Sequence, residues 1–279
     1  MLIDALQNYA FMRHSFISGL IVGCIAPLLG TFIVVRRLSL IADALSHISL
    51  GGITLGVYLS SILSFTINPL ITATLFSIIG AVGIEKMRTV YKHFSEISIP
   101  IIMSLGIALS VIFLSLANGF NQDLFGYLFG SISAVTKNDL FLISCIGVIV
   151  ITFVYFLYKE MFLLSFDEEY SEVMKISGFI HFIFIVLVAL VISASMRIVG
   201  TLLVSAMMTL PVAAAIRVTS SFKALIAVSI LFGEISVILG LILGFYLNIA
   251  PGGMIVLVAI FILSMTFIVN RLGVKMNAE

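Results

Sequence analysis

The chain has 279 residues and a formal net charge of +1; 62% of its residues are hydrophobic and 10% are charged. Soluble globular domains carry about 25% charged residues, so this composition excludes a soluble fold and places most of the chain among membrane lipids. A net charge this close to zero gives no reason to expect nucleic acid or an acidic macromolecule as a partner.

Apolar runs of about 20 residues, the length that crosses a bilayer as a helix, alternate with short polar clusters. They predict an all-α polytopic membrane protein with eight or nine spans in one transmembrane domain, residues 1–279. The short mixed segment 1–13 predicts an interfacial stretch before the first span. Nine spans are favoured, and the two on either side of Arg197 are the least clearly separated. The predicted spans are 14–35, 38–62, 67–85, 98–118, 139–158, 179–195, 198–216, 224–246 and 252–270.

The distribution of basic residues predicts the orientation. With the N-terminus outside, eleven Lys and Arg residues fall on the inner side, and only Arg13, Lys137 and Arg197 fall outside. Cytoplasmic loops carry an excess of Lys and Arg, so nine spans in this orientation fit well. One broken helix around Arg197 would reverse the C-terminus and weaken the bias.

Two polar segments are longer than a turn needs. The outer one, residues 118–139, contains LFGYLFGS and predicts a short surface helix. The inner one, residues 159–178, predicts a short amphipathic helix that ends at Gly178. Glu172 near its start and Lys175 near its end are placed as the helix dipole favours. This inner helix either docks on a cytosolic partner or belongs to an ordinary solvated loop.

Asp43 and His47 stand four residues apart, so on a helix they share one face about 6 Å apart along the axis. A span that starts near Leu38 puts Asp43 roughly 8 Å and His47 roughly 14 Å into a core about 30 Å thick. A carboxylate at this depth costs on the order of 3 kcal/mol unless it faces a polar interior and finds a partner. The pair therefore predicts an ion path or a binding site.

Imidazole and carboxylate suit zinc and related first-row ions, but zinc usually takes four ligands and this pair supplies two. A two-fold axis beside the helix would present the same two residues from a second copy of the chain. The alternative is an Asp–His hydrogen bond that only fastens two helices together. Small and hydroxylated neighbours favour close helix packing under both interpretations.

Glu234 is another deeply placed carboxylate that needs a partner. It is a secondary candidate for the ion path, and a protonated carboxyl that is hydrogen-bonded between helices is the alternative. The other possible metal-binding side chains are interpreted as structural, because they lie near span ends or inside apolar runs. These are His14, His93, His181, Met207, Met208, Cys24 and Cys145.

The sequence lacks the motifs of nucleotide and hydrolase chemistry. It contains no GxxxxGK[ST], HExxH or GxSxG pattern, and no GxGxxG after a strand. Any ATP hydrolysis must therefore come from a separate chain, and no permanently bound cofactor is expected.

The stretch LLGTFIVVRRLSLIADALSHISLGGITLG closely resembles the signature of the membrane permease subunits of bacterial zinc and manganese ABC importers. The LFGS after the outer segment, RIVGTLLVSAMMTLPVAAA and YLNIAPGGMIVLVA match the same family in the same order. The resemblance covers nearly the whole chain and implies the vitamin B12 and metal-chelate type of importer permease.

The resemblance implies that Asp43 and His47 from each of two copies form a metal site in the plasma membrane, which is the inner membrane in bacteria that have two membranes. It implies a homodimer among membrane lipids, two cytosolic ATPase subunits that bind ATP, and an extracellular metal-binding protein that delivers the ion. Glu172 and Gly178 match the family's coupling segment, although Val173 and Met174 replace two alanines. The implied cargo is Zn²⁺, which the Gly-Gly pair at 51–52 favours, or Mn²⁺ or Fe²⁺.

Three other classes stay open from the residues alone. An intramembrane metalloenzyme could use the Asp–His pair, but no nucleophile–base pair or three-ligand metal set can be named for it. A permease for a larger metal chelate would line its path with uncharged groups. A secondary transporter or channel would need no coupling helix.

Overall fold

The computed structural model describes residues 9–63, 67–91, 97–117, 122–166 and 177–271. Every regular element in these ranges is an α-helix, which confirms the predicted all-α class. The helices are α1 (Ala10–Val35), α2 (Ser39–Ile62), α3 (Pro69–Val90), α4 (Ser98–Leu116), α5 (Gln122–Phe129), α6 (Lys137–Phe156), α7 (Tyr158–Phe166), α8 (Ser177–Val199), α9 (Val204–Ile216), α10 (Phe222–Leu247) and α11 (Pro251–Arg271).

Eight helices in the described ranges are long and apolar enough to cross a membrane: α1, α2, α3, α4, α6, α8, α10 and α11. Helix α1 begins at Ala10, so the last residues of the predicted interfacial segment belong to a long helix. The predicted span 198–216 is wrong in length, because residues 198–199 end α8, residues 200–203 are not helical, and α9 has only 13 residues. At about 1.5 Å per residue α9 rises about 20 Å, less than the hydrocarbon core.

Short as it is, α9 connects opposite ends of the bundle. The turn before it is hydrogen-bonded to α5, with the Thr201 amide donating to the Tyr127 carbonyl at 2.8 Å. The far end of α9 packs Val212 and Ala215 against Val35 at the end of α1. The chain therefore makes nine passes along the described bundle, in the order that the distribution of basic residues predicts.

We call the end of the bundle that holds Arg36 and Arg88 the inner end, because excess basic charge marks the cytoplasmic side. Helix α5, the predicted short surface helix, lies at the outer end. Several helix starts carry the local signals that the sequence offers: the Asn68 side chain caps α3 just before Pro69, and Thr136 and Asp139 form a capping box on α6.

A buried ion pair fastens the outer end. Arg197 Nε lies 3.3 Å from Asp139 Oδ2, and these two side chains are 12% and 2% exposed. The Arg197 guanidinium also donates to the Ala134 carbonyl at 2.5 Å and lies over the Tyr127 ring at 4.4 Å. Asn68 donates to the second Asp139 oxygen at 3.0 Å. These contacts join α3, α5, α6 and α8.

A second polar cluster fastens the inner end around His181 of α8. Arg36 Nη2 lies 2.7 Å from His181 Nδ1, and Glu85 Oε2 lies 3.2 Å from Nε2, which Arg88 also contacts. The guanidinium groups of Arg36 and Arg88 are donors, and the Glu85 carboxylate is the acceptor that faces the ring. The cluster joins the first turns of α8 to α1 and α3.

Glycines let the backbone of α2 approach its two neighbours. A methyl on Gly52 would lie 2.5 Å from the Thr72 carbonyl oxygen of α3. A methyl on Gly106 of α4 would lie 2.6 Å from the Ile48 amide nitrogen and 2.8 Å from the His47 carbonyl carbon. Real side chains do not fit at such distances, so α2 is wedged between α3 and α4 by contacts that only glycine allows.

Replacing Gly106 with alanine should separate α4 from α2 beside His47. We expect Gly106→Ala to lower the free energy of unfolding by about 1–3 kcal/mol, as overpacking typically does, and to lower the melting temperature in detergent. Gly51→Ala is the matched control in α2, because its methyl would meet the nearest atom, the Gly106 oxygen, at 3.4 Å. Equal melting temperatures for the two variants would contradict this account.

The outer ion pair should show strong coupling between its members. Asp139→Ala leaves the buried Arg197 guanidinium without its carboxylate, so we expect a loss of about 3 kcal/mol of stability. The double variant with Arg197→Ala should lose clearly less than the sum of the single variants. Thermal unfolding of the four proteins measures this, with Lys137→Ala at the exposed start of α6 as the control. Additive losses would show that the two side chains act independently.

Candidate functional site

The predicted pair lies on one face of α2, and both Asp43 and His47 are half-buried. The neighbouring polar groups are satisfied within the helix, since the Ser46 hydroxyl donates to the Asp43 carbonyl at 2.8 Å. The flanking residues Ala42, Ala44 and Ile48 are buried. The helix thus directs its two ionisable side chains away from its packed sides.

Asp43 lines a cavity of about 620 Å³ toward the inner end. The walls come from the ends of α1 and α2 and from one face of α9. The polar lining is a carboxylate, three hydroxyl groups and one guanidinium: Asp43, Ser39, Ser205, Thr209 and Arg37. Its neutral donors are all oxygens, the ligands that hard divalent cations accept.

His47 lines a different cavity, about 230 Å³ in volume, toward the outer end. Its walls come from α2, α4 and α5, and they are apolar apart from His47 and two hydroxyl residues. Those are Thr54, which donates within α2, and Ser110, which donates to the Gly106 carbonyl at 2.7 Å. Each hydroxyl group donates its proton to a carbonyl of its own helix.

The two cavities follow one another along α2. Because α2 runs from the inner to the outer end, His47 lies one turn farther out than Asp43, about 6 Å along the axis. The pair therefore separates an apolar outer cavity from a polar inner one. Any ion that moved along this face of α2 would pass the imidazole before the carboxylate.

Four polar lining residues of the inner cavity were not among the predicted site residues: Arg37, Ser39, Ser205 and Thr209. Ser205 and Thr209 stand four residues apart on α9, and the Thr209 hydroxyl donates to the Ser205 carbonyl at 2.9 Å. This spacing puts them on one face of an otherwise apolar helix, a signal that the sequence does contain. Arg37 is part of the paired basic motif next to the predicted site.

The described residues of one chain do not form a complete metal site. Within the described ranges, no three His, Cys, Asp or Glu side chains come close enough to hold an ion together. Asp43 and His47 could supply at most two ligands, whereas zinc usually takes four.

Glu234 lies elsewhere in the bundle. Its carboxylate packs on α1 at Gly23, where a methyl would meet Glu234 Oε1 at 3.3 Å, and its Oε2 atom is buried without a hydrogen-bond partner in the described structure. Gly23 precedes Val34, which borders the inner cavity, by 11 residues, or about 16 Å along α1. The structure therefore does not bring Glu234 together with Asp43 and His47.

The predicted coupling helix falls largely outside the described residues: Glu172 and Lys175 are not among them, and Gly178 lies in the first turn of α8. Before this gap, α7 packs Phe162 and Phe166 against Phe222 at ring-centroid distances of 5.2 and 5.5 Å. The inner segment therefore begins with an apolar helix held against the start of α10.

The Gly-Gly pair that favoured zinc has a packing explanation. Gly52 is required by the close approach of α3, whatever ion is transported. A methyl on Gly51 would find only ordinary contact distances, 3.4 Å at the closest. The pair is therefore a weak indicator of the cargo.

Comparison with known proteins adds an independent finding. The chain matches the ABC 3 transport family over residues 8–270. It is 35% identical over 271 residues to the manganese import system permease protein ScaB of Streptococcus parasanguinis, and the match covers 96% of this chain and 94% of that protein.

Two solved structures share the fold. A chain in PsaBC from Streptococcus pneumoniae in complex with Fab is 34% identical, with a TM-score of 0.82 over 95% of this chain and 94% of that one. An inward-facing chain described as a metal-chelate type ABC transporter matches at a TM-score of 0.65 over 91% of this chain and 84% of that one. Its identity is 17%, so it shows the fold alone.

The family match excludes the intramembrane enzyme considered above, and it assigns ATP hydrolysis to a separate chain. The eight long apolar helices and the matching fold agree with it. This chain belongs to the ABC 3 transport family, as a multi-pass inner-membrane permease subunit of an ABC transporter.

Proposed function

We propose that this chain is the membrane subunit of an ATP-driven importer that moves a divalent transition-metal ion into the cytoplasm. The observation that carries the proposal is the position of Asp43 and His47, on one face of α2 between an outer and an inner cavity. A carboxylate and an imidazole inside a membrane helix are costly, and transport of a cation gives both a role.

The proposed path has two unequal halves. The outer cavity beyond His47 is apolar, which suits a barrier that a hydrated ion does not cross until the subunit changes conformation. The inner cavity beyond Asp43 offers hydroxyl groups that can replace water around a departing ion. Alternating access then requires that the ion bind the two conformations with different affinities.

Manganese is the cargo that the observations favour. The relative from Streptococcus parasanguinis is named for manganese import. The neutral donors beside Asp43 are oxygens, and manganese accepts hard oxygen ligands readily. Zinc is the second candidate, because an imidazole and a carboxylate also suit zinc and bind it more tightly in the usual affinity order.

A second copy of the chain would complete the ion site. Two ligands per chain are too few for zinc or manganese, and the half-buried face of α2 is available to a partner. A two-fold axis beside α2 would bring together two carboxylates and two imidazoles. The working unit would then contain two copies of this chain, two cytosolic ATPases that meet residues 159–178, including Glu172, Lys175 and Gly178, and an extracellular protein that delivers the ion.

Neutral replacements of the proposed ligands should abolish uptake without unfolding the protein. Asp43→Asn and His47→Gln keep the side-chain size and remove a charge or a ring nitrogen. We expect each to lower ⁵⁴Mn²⁺ uptake at least about tenfold, the cost of roughly 1.4 kcal/mol of ion binding, in cells that express the matching ATPase and delivery protein.

The same assay tests Glu234. Glu234→Gln should retain most of the uptake, because the carboxylate packs on α1 away from both cavities. Membrane abundance is matched by immunoblot. Full uptake by Asp43→Asn would return the Asp–His pair to a structural role, and loss of uptake only in Glu234→Gln would move the ion path to α10.

Competition identifies the cargo. We expect unlabelled Mn²⁺ to suppress ⁵⁴Mn²⁺ uptake at lower concentrations than Zn²⁺ does, and ⁶⁵Zn²⁺ uptake in the same cells to be the slower of the two. Faster ⁶⁵Zn²⁺ uptake that Mn²⁺ does not suppress would assign the transporter to zinc.

A further inference from the structure

Arg37 occupies a position that the proposed transport step does not explain. It stands between α1 and α2 and lines the same cavity of about 620 Å³ as Asp43. The residues that line this cavity include two formal charges, the Asp43 carboxylate and the Arg37 guanidinium. A positive charge at the inner mouth of a cation path opposes the cation that uses it.

The backbone at Arg37 makes this choice of residue unexpected. Its φ angle is +57°, in the left-handed region that glycine and asparagine adopt most readily. The other non-glycine residue of the described chain with a positive φ is Asn248, which follows this preference. Arg37 follows the last turn of α1, where glycine is the usual residue. An arginine is present against the local backbone preference.

The neighbouring arginine does not share this role. Arg36 reaches away from the cavity, to His181 at 2.7 Å and to the Phe184 ring at 5.1 Å. The two members of the basic pair therefore serve opposite sides of the connection: Arg36 belongs to the inner cluster on α8, and Arg37 belongs to the wall of the cavity.

The charge of Arg37 lowers the affinity of a cation that binds at Asp43. Arginine stays protonated at any physiological pH, so its charge is permanent. Arg37 precedes Asp43 by six residues, and the two side chains line the same cavity. For charges of +2 and +1 about 10 Å apart, at a dielectric between that of bulk water and that of the protein surface, repulsion weakens ion binding about tenfold.

We propose that Arg37 lowers the affinity of the inner cavity for its cation: its guanidinium serves as the counter-charge of Asp43 once the cation leaves, and it opposes re-entry of cations from the cytoplasm. This inference rests on the proposed function. It explains how a carboxylate that binds a divalent ion inside the membrane can release it, because Asp43 is not left without a counter-charge when the cation leaves.

The test uses the full chain with its ATPase in lipid nanodiscs, without nucleotide, and measures Mn²⁺ binding by titration calorimetry. We expect Arg37→Gln, which removes the charge at similar length, to bind Mn²⁺ about tenfold more tightly than the wild type. Arg37→Lys returns the charge and should shift the affinity back toward the wild type. Lys223→Gln removes the same charge from the exposed start of α10, outside the cavity lining, and should change the affinity less than twofold.

A second readout separates the proposed role from misfolding. Arg37→Gly removes both the charge and the unfavourable backbone, so its melting temperature should equal or exceed that of the wild type. In proteoliposomes both Arg37→Gln and Arg37→Gly should import ⁵⁴Mn²⁺ several-fold more slowly while binding it more tightly. Unchanged or weaker Mn²⁺ binding by Arg37→Gln would overturn the inference.

Asp43→Asn distinguishes a failure of the proposed ion site from a failure of the proposed role of Arg37. If Asp43→Asn abolishes Mn²⁺ binding while Arg37→Gln binds like the wild type, the ion site stands and the role of Arg37 is wrong. If Asp43→Asn binds Mn²⁺ like the wild type, the proposed site is wrong, and the inference about Arg37 is overturned with it.

Discussion

The structure depends on the backbone contacts that hold α2 between α3 and α4. Helices in lipid gain little from burying apolar side chains against one another, so close packing and polar contacts must supply the association energy. Gly52 and Gly106 allow that packing on the two sides of α2. Because α2 is packed on both sides, it cannot rotate about its own axis. The face that carries its ionisable side chains is therefore held in one direction. The orientation of Asp43 and His47 therefore depends on two glycines that line neither cavity.

Helix α8 gives the bundle a rigid support, because polar clusters fasten it at both ends. The outer cluster around Arg197 and Asp139 holds the surface helix α5, and the inner cluster around His181 holds the ends of α1 and α3. The inner cluster includes Arg36, the neighbour of a residue in the cavity wall. The first turn of α8 contains Gly178, the last residue of the segment 159–178. A movement of this turn would therefore reach the cavity of Asp43 through His181, Arg36 and the peptide bond between Arg36 and Arg37.

Much of this could be predicted from the sequence, because lipid imposes simple rules on length and charge. The apolar runs and basic residues gave the long helices and their alternating order, and the i, i+4 spacing put Asp43 and His47 on one face. The length of α9 was mispredicted, because an apolar run does not reveal that Gly200 takes a φ of +88° and turns the chain. Three other features depend on which helices become neighbours, and the periodicity of a sequence does not contain that information. They are the distance of Glu234 from the Asp–His pair, the hydroxyl groups that α9 adds to the inner cavity, and the different contacts of Arg36 and Arg37.

The polar inner cavity changes the electrical thickness of the protein beside Asp43. Its volume of about 620 Å³ holds many water molecules, and its polar lining favours them, so water can approach Asp43 from the inner end of the bundle. The free energy of bringing a charge into a low-dielectric slab falls as the slab becomes thinner and as water reaches closer to the charge. A divalent ion at Asp43 would therefore experience a shallower dielectric barrier, and a smaller fraction of the membrane potential on its last step, than its depth in the sequence of α2 suggests.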